Sequence, residues 1–148
     1  MPTDGIVFFL FQEKDMYSRG IRGAITIEKN ESETILASTR ELLAAILQAN
    51  PSLSPEDLSS AIFTVTPDIT AAFPARAARE MGWTGVPLMC AQEIPVEGNL
   101  PLCIRVLLTW NTPLMQKDIQ HVYLRQAASL RPDLAFSLNS QPSGQVSQ

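Results

Sequence analysis

Leu102-Cys103-Ile104-Arg105-Val106-Leu107-Leu108 is an apolar run with a guanidinium at its centre, and it reads as a buried strand. Successive strand side chains point to opposite faces. Leu102, Ile104, Val106 and Leu108 therefore share one side, and Cys103, Arg105 and Leu107 the other. One face is wholly apolar. The other carries a group that stays protonated at any relevant pH and must be met by water, a carboxylate or a bound anion. Taken alone, a strand arginine is more often one that snorkels from a sheet edge or pairs within the protein. Its meaning depends on what the rest of the chain brings to it.

With 148 residues the chain is long enough for one substantial core and too short for two. The net charge is −4 and the basic residues are scattered rather than striped, which argues against nucleic acid or an anionic membrane as partner. The apolar run at 6–11 is far shorter than the roughly 20 residues needed to cross a bilayer. No positively charged segment precedes it, so a secretory signal is not expected. The two cysteines, Cys90 and Cys103, lie in strand-like runs without metal-ligand spacing, which suits a reduced, cytoplasmic protein. His121 is the single histidine, and neither a GxGxxG nor a Walker loop occurs; no metal or cofactor is expected.

Residues 1–15 fit poorly with the strand pattern that begins at Met16 and read as an N-terminal extension, with Met16 an alternative start. Alternating apolar residues after Gly20-Ile21-Arg22-Gly23 predict a first strand within 18–28, its glycines allowing close approach to another group. Asn30 and Glu33 resemble a capping box. They precede a helical stripe of Ile35, Thr39, Leu42, Leu43, Ile46 and Leu47, which should stop at Asn50 before Pro51. Ser54-Pro55-Glu56-Asp57 signals a short helix, and residues 61–66 a second strand. A further short helix is predicted from Phe73 through Met81, stopped by Gly82. Arg76 and Arg79 share a face of it, with no partner evident in the chain. Residues 86–93 predict a third strand, joined to the strand of Arg105 as an antiparallel hairpin through a turn bracketed by Pro95 and Gly98. Residues 116–124 and 127–130 fit either a helical turn or a strand. The polar tail at 135–148 is expected to be disordered.

Five arginines fall at turns or strands beside the sheet: Arg22, Arg76, Arg79, Arg105 and Arg131. One acid, Glu93, and one phenol, Tyr123, accompany them. Arginines near the core elements of a net-negative protein suit a compact, multiply anionic small ligand. The residues carry more than this. Gly20-Ile21-Arg22-Gly23-Ala24, Thr66-Pro67-Asp68, Phe73-Pro74-Ala75-Arg76-Ala77, Val86-Pro87, Cys90-Ala91-Gln92-Glu93, Cys103-Ile104-Arg105-Val106, His121-Val122-Tyr123-Leu124 and Leu130-Arg131-Pro132-Asp133-Leu134 stand here in an order that resembles the monofunctional chorismate mutases of the trimeric, barrel-like α+β type. The resemblance spans residues 19–134 and leaves out both ends. Arg76 stands where a lysine is also usual.

That resemblance implies one α+β domain at 16–134, a mixed β-sheet with helices packed on one face, and three copies associating into a pseudo-barrel with clefts between neighbours. Position by position, Arg22, Arg105, Tyr123 and Arg131 match family residues around the substrate's carboxylates and ether oxygen. Glu93 and Cys90 match those at the ring hydroxyl, and Phe73, Arg76, Arg79, Leu88, Met89 and Leu130 match cleft walls contributed across the interface. The implied reaction is the intramolecular Claisen rearrangement of chorismate to prephenate, a step of aromatic amino-acid biosynthesis needing no nucleophile, general base, metal or redox cofactor. Two other readings compete. One is a non-catalytic trimeric module that binds small acids on the same scaffold. The other is a hydrolase using Cys90 with His121, for which the spacing gives no support.

Overall fold

β4 (Cys103–Thr112) is the middle strand of a five-stranded sheet in the computed structural model, which describes residues 15–133. The other strands are β1 (Tyr17–Thr26), β2 (Leu58–Val65), β3 (Leu88–Gln92) and β5 (Val122–Leu124), in the order β3-β2-β4-β1-β5. β4 runs antiparallel to both β1 and β2, while the edge strands β3 and β5 run parallel to β2 and β1. The helices are α1 (Ser32–Ala49) and α2 (Ala75–Glu80), with 3-10 turns at Pro55–Asp57, Gln116–Asp118 and Arg125–Ser129. This is the mixed-sheet α+β architecture expected. Apart from Asp15, the extension at 1–15 and the tail at 135–148 lie outside the described residues.

The alternation read from the sequence holds along β4. Ile104, Val106, Leu108 and Trp110 are buried on one face, whereas Arg105 is half-buried and Leu107 exposed on the other. The first face packs against α1, whose Ile35, Leu42, Leu43 and Ile46 are fully buried as the helical stripe predicts, and against Ala75 and Ala78 of α2. Gly23 is what lets α1 lie so close to β1. A Cβ there would come 2.8 Å from Ile46 Cδ1 and 3.1 Å from Val106 Cγ1, so the close approach is to the helix rather than to a ligand. Gly82, with φ of 92°, ends the short helix in the left-handed conformation that glycine adopts freely.

Two local expectations are corrected. Asn30 does not cap α1, whose N-cap is Glu31 without a side-chain bond. Its Oδ1 instead accepts the N–H groups of Thr70 and Ala71 at 2.9 and 3.0 Å, and Nδ2 donates to Thr70 Oγ1 at 2.8 Å. An asparagine satisfies loop N–H groups as readily as helical ones, and here the loop before α2 claims it. Nor do β3 and β4 form a hairpin: β2 lies between them. Burying β4 in the middle of the sheet satisfies both its edges with antiparallel ladders and leaves the shorter, more exposed β3 at the rim.

Candidate active site

The face of the sheet away from the helices is organised in rows by strand register. One row runs Met89, Ile62, Leu107, Arg22 across β3, β2, β4 and β1. The next runs Ala91, Thr64, Arg105, Ala24, Tyr123, reaching β5. Arg22 and Arg105 are thus diagonal neighbours on one face, on different strands. Glu93 comes directly after β3, its N–H continuing the ladder to Val65 O at 2.8 Å, so its side chain falls on this face beyond Ala91.

A cleft of about 260 Å³ opens here, lined by Arg22, Ile62, Thr64, Glu93, Arg105 and Tyr123 among others. Arg105 Nε lies 3.2 Å from Glu93 Oε1, and both side chains are largely buried. The pair is close but not aligned. Nε is fully buried and has no hydrogen-bond partner among the described residues. The Nε charge is thus met by Glu93 at ion-pair distance, while the guanidinium as a whole lines the cleft. Glu93 and Arg105 also line an adjoining, more open pocket of about 480 Å³ with Ile94, Val96 and Asn99.

The start of β4 is fixed from below. Asp68 Oδ2 accepts the N–H of Leu102 at 2.9 Å, and the Thr66 hydroxyl donates to Asp68 while accepting the N–H of Cys103 at 3.0 Å. Leu102 is held at φ 50°, a strained value for a leucine that the aspartate clamp maintains. Cys103 itself is buried, and that burial pushes its thiol pKa up, against the opposing pull of Arg105.

The structure brings some of the expected site residues together and sets others apart. Arg22, Glu93, Arg105 and Tyr123 share the cleft. Leu130 packs beside it on the small cluster of Ala24, Cys103, Tyr123 and Ala127. Arg131 is turned to Asp133, with bonds of 3.0 and 2.7 Å that hold the guanidinium more firmly protonated and the carboxyl lower. Phe73, Arg76 and Cys90 line a separate groove of about 490 Å³ on the helix side, with Phe73 70% exposed. Leu88 and Cys90 pack on the main core, while Met89 between them faces the open side and is 63% exposed. Arg76 proves to have an in-chain partner after all: its Nε donates to Glu80 Oε1 at 3.0 Å, one helical turn on. Arg79 is exposed and makes no ion pair among the described residues.

Ile62, Thr64 and Leu107 are cleft residues that the sequence did not single out. Ile62 and Leu107 are apolar and 37% and 45% exposed, directly paired across β2 and β4. Their signal was periodic position opposite the core, which a single sequence does not distinguish from a second buried face.

Residues 18–134 match the family model described as chorismate mutase type I. The chain is 57% identical over 116 residues to the chorismate mutase AroH of Thermus thermophilus, spanning 78% of this chain and 95% of that protein. It is 46% identical over 127 residues to the chorismate mutase AroH of Bacillus subtilis (strain 168), spanning 85% and 99%. A solved chorismate mutase from Clostridium thermocellum superposes with a TM-score of 0.72 at 50% identity, over 74% of this chain and 97% of that one. The fold, the arginine-lined face and these matches agree, and the chain belongs to the chorismate mutase type I family.

Proposed function

We propose that this chain, a chorismate mutase, isomerises chorismate to prephenate on the open face of its sheet, as a homotrimer whose clefts lie between neighbouring subunits. The observation that carries the site assignment is the convergence of Arg22, Arg105, Glu93 and Tyr123 on one cleft of about 260 Å³. In the rearrangement the ether C–O bond breaks as a new C–C bond forms within one molecule, so no proton need be moved. Arg22, Tyr123 and Arg131 bind the two carboxylates and hold the flexible dianion folded, with its reacting ends together. As the C–O bond lengthens its oxygen gains negative charge, and Arg105, fixed before the substrate arrives, binds that charge better than the ground state. Glu93 accepts a hydrogen bond from the ring hydroxyl and orients the ring without acting as acid or base.

The exposed apolar residues Met89, Ile62 and Leu107 beside these charges suit contact with another copy. The groove of Phe73, Arg76 and Cys90, with Arg79 and Leu88 nearby, then supplies the opposite wall. Free thiols at Cys90 and Cys103 fit work in the cytoplasm, and no helix among the described residues is long and apolar enough to cross a membrane. The test is direct: purified protein is mixed with chorismate, prephenate is assayed, and the assembly is sized by sedimentation. Conversion by a trimer is expected. Binding of a bicyclic diacid mimic without conversion would instead favour the non-catalytic module, and an active monomer would remove the shared cleft.

A further inference from the structure

The edge of β1 beside Arg22 is completed by side chains. β5 pairs with β1 only at Gly23, Ala24 and Ile25. Ahead of it, Gln116 acts as a substitute strand residue: its Oε1 accepts the N–H of Gly20 at 2.9 Å and its Nε2 donates to Gly20 O at 2.7 Å. Between the two, His121 Nδ1 accepts the N–H of Arg22 at 2.9 Å. The ring is itself placed by buried Asn50, the C-cap of α1, which exchanges two bonds of 3.0 Å with the backbone of Gln120. A chain of contacts thus runs from the end of α1 to the backbone of a cleft arginine.

We infer that His121 is a positioning residue, whose neutral ring fixes the backbone from which Arg22 reaches the substrate; this rests on the reading of the cleft as the chorismate site. A peptide N–H can only donate, so Nδ1 must carry a lone pair and the ring proton sits on Nε2. Protonation would set two donors against each other and release Arg22. The charged groups around the ring are Arg22 on β1 and Arg131 beyond the last 3-10 turn, the latter held by Asp133. Burial first, and then both cations, lower the histidine pKa from its usual value, so the holding form persists at neutral pH.

The chain has a single histidine, so ring-labelled protein reports this residue alone. Nitrogen NMR is expected to find the Nε2–H tautomer with Nδ1 unprotonated at pH 7.5, and a midpoint below the ordinary value. Kinetics read the coupling. His121→Leu should lower kcat/KM about tenfold, the scale of one lost hydrogen bond, chiefly through KM because Arg22 grips a carboxylate present before and during reaction. Asn places an oxygen near the Nδ1 position and never protonates. His121→Asn should therefore stay within about threefold of the parent and lose the parent's fall in kcat/KM on the acid side. A general structural defect would lower kcat at unchanged KM and would not be rescued by Asn. An Nδ1–H tautomer, parental KM in His121→Leu, or an unchanged acid limb in His121→Asn would overturn the inference. A parent protein with the expected tautomer that fails to convert chorismate would overturn the function, and the catalytic part of this role with it.

Discussion

Arg105 Nε and Glu93 Oε1 stand 3.2 Å apart without the alignment of a hydrogen bond, so the carboxylate balances the sheet's central charge as an ion pair. The offset arises because Arg105 is on the middle strand and Glu93 enters from the rim, one row beyond it.

Arg105→Ala should lose turnover by about a hundred- to a thousandfold, the range for removing one preorganised donor to developing charge. The fold should persist, since the residue lies on the open face and leaves the α1 side of the core untouched. Arg105→Lys should recover little, because a point charge cannot reproduce the guanidinium's fork. Chorismate turnover with circular dichroism checks both, and near-parental activity in the alanine variant would sink the assignment.

Subunit mixing tests the division of the site. If Arg105 and Arg79 belong to opposite walls of one cleft, Arg105→Ala and Arg79→Ala are each inactive alone. Random exchange in equal amounts then rebuilds about a quarter of the interfaces with two intact walls. Recovery near that fraction is expected; no recovery between variants that demonstrably exchange subunits would abandon the shared cleft.

Gly23→Ala should destabilise the protein by about 1–3 kcal/mol, because the new methyl meets Ile46, Val106 and Leu42 on a packed face. Urea unfolding measures this as a lower midpoint. Gly20→Ala, whose nearest neighbour would be Leu107 Cδ1 at 3.8 Å, should be far milder.

The histidine also sets a direction for stability against pH. Its folded pKa lies below the unfolded value of about 6.5, so below that pH the unfolded chain takes up a proton that the folded one refuses. Stability therefore rises with pH across this window; the contribution is complete above about 6.5 and is lost as pH falls through the folded value. Urea midpoints between about pH 5 and 7.5 should show this slope in the parent and less of it in His121→Asn. Turnover should be nearly flat from about pH 6.5 to 8, where arginine and carboxylate charges do not change.

Periodicity alone determined the parts of this protein that depend on local burial. The two-residue alternation through Arg105 and the helical stripe from Ile35 to Leu47 arise directly from which faces must leave water. Asn50 before Pro51 and Gly82 fixed helix ends by backbone sterics, equally local in origin. The order of the site residues along the chain was enough to identify the family resemblance. Only tertiary structure decided what depends on contacts between distant segments. It placed β2 between β3 and β4 where a hairpin was expected, and gave Asn30 to the loop before α2. It also set His121 against the N–H of Arg22, 99 residues away. A hydrogen-bonding side chain accepts whichever partner the fold brings within about 3 Å, and sequence spacing does not encode that distance.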